Sequence, residues 1–77
     1  MKYEELITKL GKEVEGSKML LRVKDEMICI DSPFFYFDVL NRIQRLLHLY
    51  GECEWLIVPS DRFKDHVMYR INILKFI

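Results

Sequence analysis

Between Val39 and Tyr50 the apolar side chains, Leu49 apart, fall at positions 39, 40, 43, 46, 47 and 50, and Gly51 follows at once. At about 100° per residue these positions form one stripe of an α-helix, and a glycine just past the last of them suits the C′ site that ends it. A helix with one apolar face must lie on another layer, so the remaining segments have to supply that layer.

A second stripe does part of this. Tyr3, Leu6, Ile7, Leu10 and Val14 recur at helical spacing, with Glu5–Lys9 and Lys9–Glu13 set to pair on the wet side and Gly16 placed at C′. Helix one is predicted over about residues 2 to 15. Elsewhere the period switches to two. "KMLLRVK" and "EMICID" read as two strands, with Met19, Leu21 and Val23 on one face of the first and Ile28 and Ile30 on one face of the second. One core face for both requires Val23 opposite Ile28 and Leu21 opposite Ile30, hence an even-numbered connection. Without glycine or asparagine for a tight type I′ turn, a four-residue loop built on a type I turn is expected around Lys24–Met27. The other hairpin face then carries Leu20, Arg22, Met27 and Cys29.

"CEWLIV" is a third strand closed by Pro59, and Val67, Tyr69, Ile71 and Ile73 alternate with Met68, Arg70 and Asn72 as a fourth. The order is αββαββ within one domain, residues 1–77. The expected class is α+β: a four-stranded, largely antiparallel sheet with two helices on one face. Moving the last strand to the front gives βαββαβ, so a permuted ferredoxin-like arrangement, with strands two and four central, fits as well. This topology carries no functional warrant.

Twelve basic and twelve acidic residues cancel, which gives no global field toward nucleic acid or an anionic membrane. Apolar runs such as "FFYF" and "WLIV" are far shorter than the roughly 20 residues of a membrane span, and "MKYEEL" lacks a signal-peptide core, so a cytoplasmic protein is expected. Cys29 and Cys53 lie too far apart for a CxxC pair, and together with His48 and His66 they match no ligand spacing. Neither a metal nor another cofactor is expected.

No catalytic residue is assigned. Glu4, Glu5, Glu13, Glu15, Asp25 and Glu26 fall on a helix exterior or in a loop, and neither His48 nor His66 has a carboxylate or serine partner close in sequence. The three glycines are isolated, so there is no phosphate-cradling loop. Nucleic-acid binding could draw on Arg42, Arg45 and His48, with Asn41 and Gln44, on the wet side of helix two. Arginines in the last turns also complement the helix dipole, which is the simpler reading. The sheet aromatics of an RNA-recognition motif are missing.

The remaining feature is "DSPFFYFDVL", residues 31 to 40. Ser32 before Pro33 would make an N-cap and N1, and a helix starting there turns Phe35 and Tyr36 inward. Phe34 and Phe37 would then face outward in line with Asn41, Arg45 and His48. Asp38 could instead cap a shorter helix, leaving the rings extended and able to plug the space between helix one and the sheet. Phe63, alone in "SDRFKDH", poses the same choice between lid and contact.

With 51% hydrophobic residues and no catalytic apparatus, the expectation is a small non-enzymatic protein-interaction module. Such an accessory or inhibitor protein, of the kind a virus directs at a host machine, would dock on a larger partner through Phe34, Phe37, Asn41, Arg45, His48 and Phe63. A homodimer paired through the last strand, Arg70 to Ile77, is the alternative, because that segment is apolar on both faces.

Overall fold

Two rows of apolar side chains cross the sheet from edge to edge in the computed structural model, which describes residues 2–77. Leu21, Ile30, Tyr69 and Ile57 make one row, and Val23, Ile28, Ile71 and Trp55 make the next. The elements are α1 (Lys2–Val14), β1 (Leu20–Lys24), β2 (Met27–Ser32), α2 (Phe37–Tyr50), β3 (Gly51–Pro59) and β4 (Val67–Phe76). The strands lie in the order β1-β2-β4-β3, every neighbouring pair antiparallel. This is the α+β class with αββαββ order, and β2 and β4 are central as the permuted ferredoxin-like arrangement requires.

Both helices pack on the row-bearing face. Leu6, Leu10 and Val14 of α1 and Ile43, Leu47 and Tyr50 of α2 are buried against Ile28, Ile30, Tyr69 and Ile71. The members of each row on the two central strands are sealed, whereas Val23 and Ile57, at the sheet edges, are about half exposed. The hydroxyls of Tyr3 and Tyr69 are buried without a hydrogen-bond partner, so both tyrosines contribute as rings. Glu5–Lys9 forms on α1 at 3.8 Å, but Lys9–Glu13 does not: Glu13 takes Arg42 of α2 at 2.8 Å, tying the two helices together.

The hairpin pairs Val23 with Ile28 and Leu21 with Ile30, as the core face demands. Its connection is two residues, not four. Lys24 pairs directly with Met27, and Asp25 and Glu26 take φ of 51° and 64°. These are the two positive φ values of a type I′ turn, whose twist matches the strands it joins. The pairing is specified strongly enough to hold a glutamate in the left-handed region, a conformation that costs an L-residue about 1–2 kcal/mol.

Helix two starts later than Ser32–Pro33 would set it, and Asp38 does not cap it either. Ser32 is the last residue of β2, fully buried and paired with Val67. Its hydroxyl accepts the Phe34 N–H at 3.4 Å and donates to the Phe34 carbonyl, so it caps a local turn. The chain needs Pro33 to Tyr36 to climb from the sheet to the helix layer. Tyr36 occupies the N-cap position, its carbonyl receiving the Leu40 N–H at 2.9 Å.

Gly16 ends α1 with φ of 84°, as expected. Gly51 works differently. Its φ of 166° is extended backbone, and the position demands glycine because a Cβ there would lie 2.0 Å from the Lys75 carbonyl oxygen. Helix and strand therefore join with no intervening loop.

Two substitutions test these assignments by urea unfolding. Glu26→Gly should stabilise the fold by about 0.5–1 kcal/mol, the relieved left-handed strain being partly offset by glycine's extra unfolded-state entropy. Gly51→Ala should destabilise it by about 2–3 kcal/mol, because the obstruction is backbone and cannot swing away.

Candidate functional site

The sheet face without helices is not bare. Asp31, on β2, is fully buried there, although the register places it among side chains that would otherwise face water. Three bonds hold its carboxylate. Arg22 Nε donates at 2.7 Å, Arg22 Nη2 at 3.3 Å, and Ser60 Oγ at 2.7 Å. Arg22 reaches Asp31 from β1 because its register partner is Cys29, two residues away on the same face. Ser60 brings in the β3–β4 loop, and its hydroxyl also accepts the backbone N–H groups of Arg62 and Phe63 at 3.2 and 3.1 Å. Asp61 then bonds Arg22 Nη2 and, at 2.7 Å, Lys24 Nζ. The loop is drawn over the open face, where Cys29 and Met68 are buried.

The charges follow from this geometry. Burial alone would push the Asp31 carboxyl up, but the bonds from Arg22 and Ser60 outweigh it and hold the group below its ordinary value. Asp61 is held lower still, by Lys24 first and Arg22 second. Arg22 is raised by Asp31 and Asp61. A carboxylate fixed in its charged form by a two-pronged guanidinium is an anchor, poorly suited to moving a proton. Among the described residues no cluster of three histidine, cysteine or carboxylate side chains could hold a metal ion.

The strand register determines what stands at that end of the sheet. Ser32, Val67 and Pro59 share one register line, so the β2–α2 connection and the β3–β4 loop emerge together. From the first project Phe34, Phe35 and Phe37, which are 58%, 58% and 70% exposed. Tyr36 turns inward against the core. Rings two apart pair up: Phe35 stacks on Phe37 with centroids 6.1 Å apart, and Phe34 meets Tyr36 edge-on at 6.1 Å. Lys18 Nζ stands 5.8 Å from the Phe34 ring centre. A cavity of about 490 Å³ opens at the start of α2, lined by Phe35, Tyr36, Phe37, Asp38, Val39 and Arg42.

Phe34 and Phe37 are thus both at the surface, but Phe34 is off the helix and Phe35 joins them. On α2, Phe37, Asn41, Arg45 and His48 fall within about 80° of one another, a continuous exposed stripe. Phe63 is half-buried in its loop, 5.3 Å from the His66 ring and beneath the Arg62 guanidinium. Arg42 stands about 120° around the helix from His48 and is bonded to Glu13, so the Arg42, Arg45 and His48 set is not one patch. Of the segment Arg70 to Ile77, β4 is paired on both sides through Ile71, and beyond it has β3 alone. No helix among the described residues is long and apolar enough to cross a membrane. Comparison of the chain with protein-family models, with curated proteins and with solved structures finds no match.

Sequence reasoning passed over Arg22, Asp31, Ser60 and Asp61. The signal was present: once Leu21 faces Ile30, Arg22 and Asp31 must be diagonal neighbours on the opposite face. Asp31→Asn should destabilise the protein at pH 7 by about 3 kcal/mol, because Arg22 keeps its charge and loses its buried anionic partner, and the amide NH2 turns a donor toward the donors of Arg22 and Ser60. A depressed carboxyl stabilises the fold above its unfolded value near pH 3.9 and ceases to as the pH falls through the folded one. Urea unfolding at pH 7 and pH 3 should therefore show the native chain losing stability in acid and its difference from the variant narrowing.

Proposed function

We propose that the protein is a non-enzymatic interaction module of accessory or inhibitor type, which docks on a larger protein through the surface at the start of α2. One observation carries this reading: three phenylalanines within four positions, Phe34, Phe35 and Phe37, are more than half exposed. A lone exposed ring is ordinary, whereas three in one short segment of a chain of this size are the composition of an interface centre. Asn41, Arg45 and His48 continue the surface along α2 and supply a polar rim of the kind that surrounds such centres. The matching partner surface is an apolar groove bordered by hydrogen-bond acceptors. Phe63 lies at the same end of the sheet, half-buried, and widens the contact on the loop side.

The rings are supported from behind. Tyr36 holds the segment to the core and Ser32 fixes the turn beneath Phe34, so docking needs little ordering of the backbone. The strongest charges of the open face bind one another through Arg22, Asp31 and Asp61, consistent with a scaffolding role. A cytoplasmic setting fits the free thiols of Cys29 and Cys53.

The test is affinity capture from the native host lysate with the native chain and with Phe34→Ala/Phe37→Ala. Both rings are exposed, so the variant should unfold within about 1 kcal/mol of the native chain. Loss of two anchors should weaken capture by about 30-fold or more. A folded variant that captures the same protein equally well would refute the reading.

A further inference from the structure

The two edges of the sheet are built differently. β1 is five residues long and carries Arg22 and Lys24, so it is short and charged in the manner that discourages further pairing. β3 is nine residues long, contains no lysine or arginine, and meets proline only at its last position. Leu56 and Ile57 stand 54% and 57% exposed on its two faces. Its irregularity, at Glu52/Cys53, is confined to the far end, and the stretch from Glu54 to Pro59 runs in unbroken register with β4. A long, regular, apolar edge is a template for another strand.

We infer that the occupant is a second copy of this chain, with β3 pairing antiparallel to β3 about a two-fold axis at Ile57. The charge pattern selects both direction and register. Glu52 and Glu54 occupy the first half of the strand and Trp55 to Val58 the second. Parallel pairing would set each glutamate beside its own copy, whereas antiparallel pairing separates the acidic halves. Centring on Ile57 faces Leu56 with Val58 of the second copy, Trp55 with Pro59 and Glu54 with Ser60, so no glutamate opposes a glutamate or an apolar side chain in the middle of the contact. Ile57 meets its own symmetry mate on the helix-bearing face. A groove of about 240 Å³, lined by Leu40, Gln44, Trp55, Ile57 and Tyr69, lies beside it and has room for the incoming isoleucine. The product is one continuous eight-stranded sheet with the short, charged β1 at both ends.

This interface is separate from the Phe34–Phe37 surface, and its outcome does not depend on that docking role. Sedimentation equilibrium over the micromolar to millimolar range should return twice the chain mass for the native protein. Ile57→Lys places two like charges face to face and should raise the dissociation constant by about 100-fold or more. Leu56→Glu and Val58→Lys should each weaken the dimer, and the double variant should regain it, because in this register each new glutamate faces a new lysine. Val23→Lys, on the opposite edge, should leave the mass unchanged. A monomer at every concentration overturns the inference, as does a dimer indifferent to Ile57→Lys, or a folded double variant weaker than both singles.

Discussion

A buried carboxylate with three hydrogen bonds organises the half of this molecule that the helices do not. Asp31 sits on a sheet face that would otherwise be wet, and Arg22 and Ser60 come to it from different parts of the chain. Apolar contact could not have done this, because burial is non-directional and would tolerate several loop positions, whereas a guanidinium fork and a hydroxyl on one carboxylate admit few. The ion pair adds little net stability over a well-packed apolar substitute, but removing either partner strands a charge. Its contribution is better described as positional. It brings the β3–β4 loop over the open face, covers Cys29 and Met68, and leaves Phe63 half-buried beside His66.

On the helix-bearing face the constraint is register. A one-residue slip of β2 against either neighbour would move Ile28 and Ile30 to the polar side and bring Cys29 and Asp31 into the core. The central strands are therefore over-determined, and the strain sits at the periphery, in the left-handed Asp25 and Glu26 of the hairpin turn and Asp65 of the β3–β4 loop. The crowded Gly51 has the same origin. α2 must end where β3 begins if the β2–α2–β3 crossover is to close around β4, and only a residue without a side chain fits against the Lys75 carbonyl.

Periodicity made the helices, the strands and their order legible in the sequence, because each core-facing stripe is a statement about one face of one element. What it could not settle were choices between two arrangements of equal pattern. Two and four residues both satisfy an even-numbered turn, and residue preference pointed to four while strand twist decided for two. Ser32 reads as a helix cap from composition, yet the partner that keeps it in the sheet, Val67, lies 35 positions later. The exposed rings follow the same rule. Phe37 was readable from its spacing to Asn41 and Arg45 on the helix, whereas the exposure of Phe35 depended on where that helix begins. Arg22 and Asp31 were recoverable only after the hairpin register had been fixed, one inference removed from the pattern itself.

The apolar surplus of the composition is distributed unevenly, and the distribution is informative. A small domain leaves much of its surface uncovered, so scattered exposed leucines such as Leu20, Leu49 and Leu74 have no need of a special explanation. Phe34, Phe35 and Phe37 do, because aromatic side chains contribute the most from burial and these three are held at the surface by a turn whose hydrogen bonds are already satisfied. Of these neighbouring rings Tyr36 alone packs against the core, while Phe34, Phe35 and Phe37 stay outside, an arrangement that lowers the stability of the isolated molecule and raises what it gains from being covered.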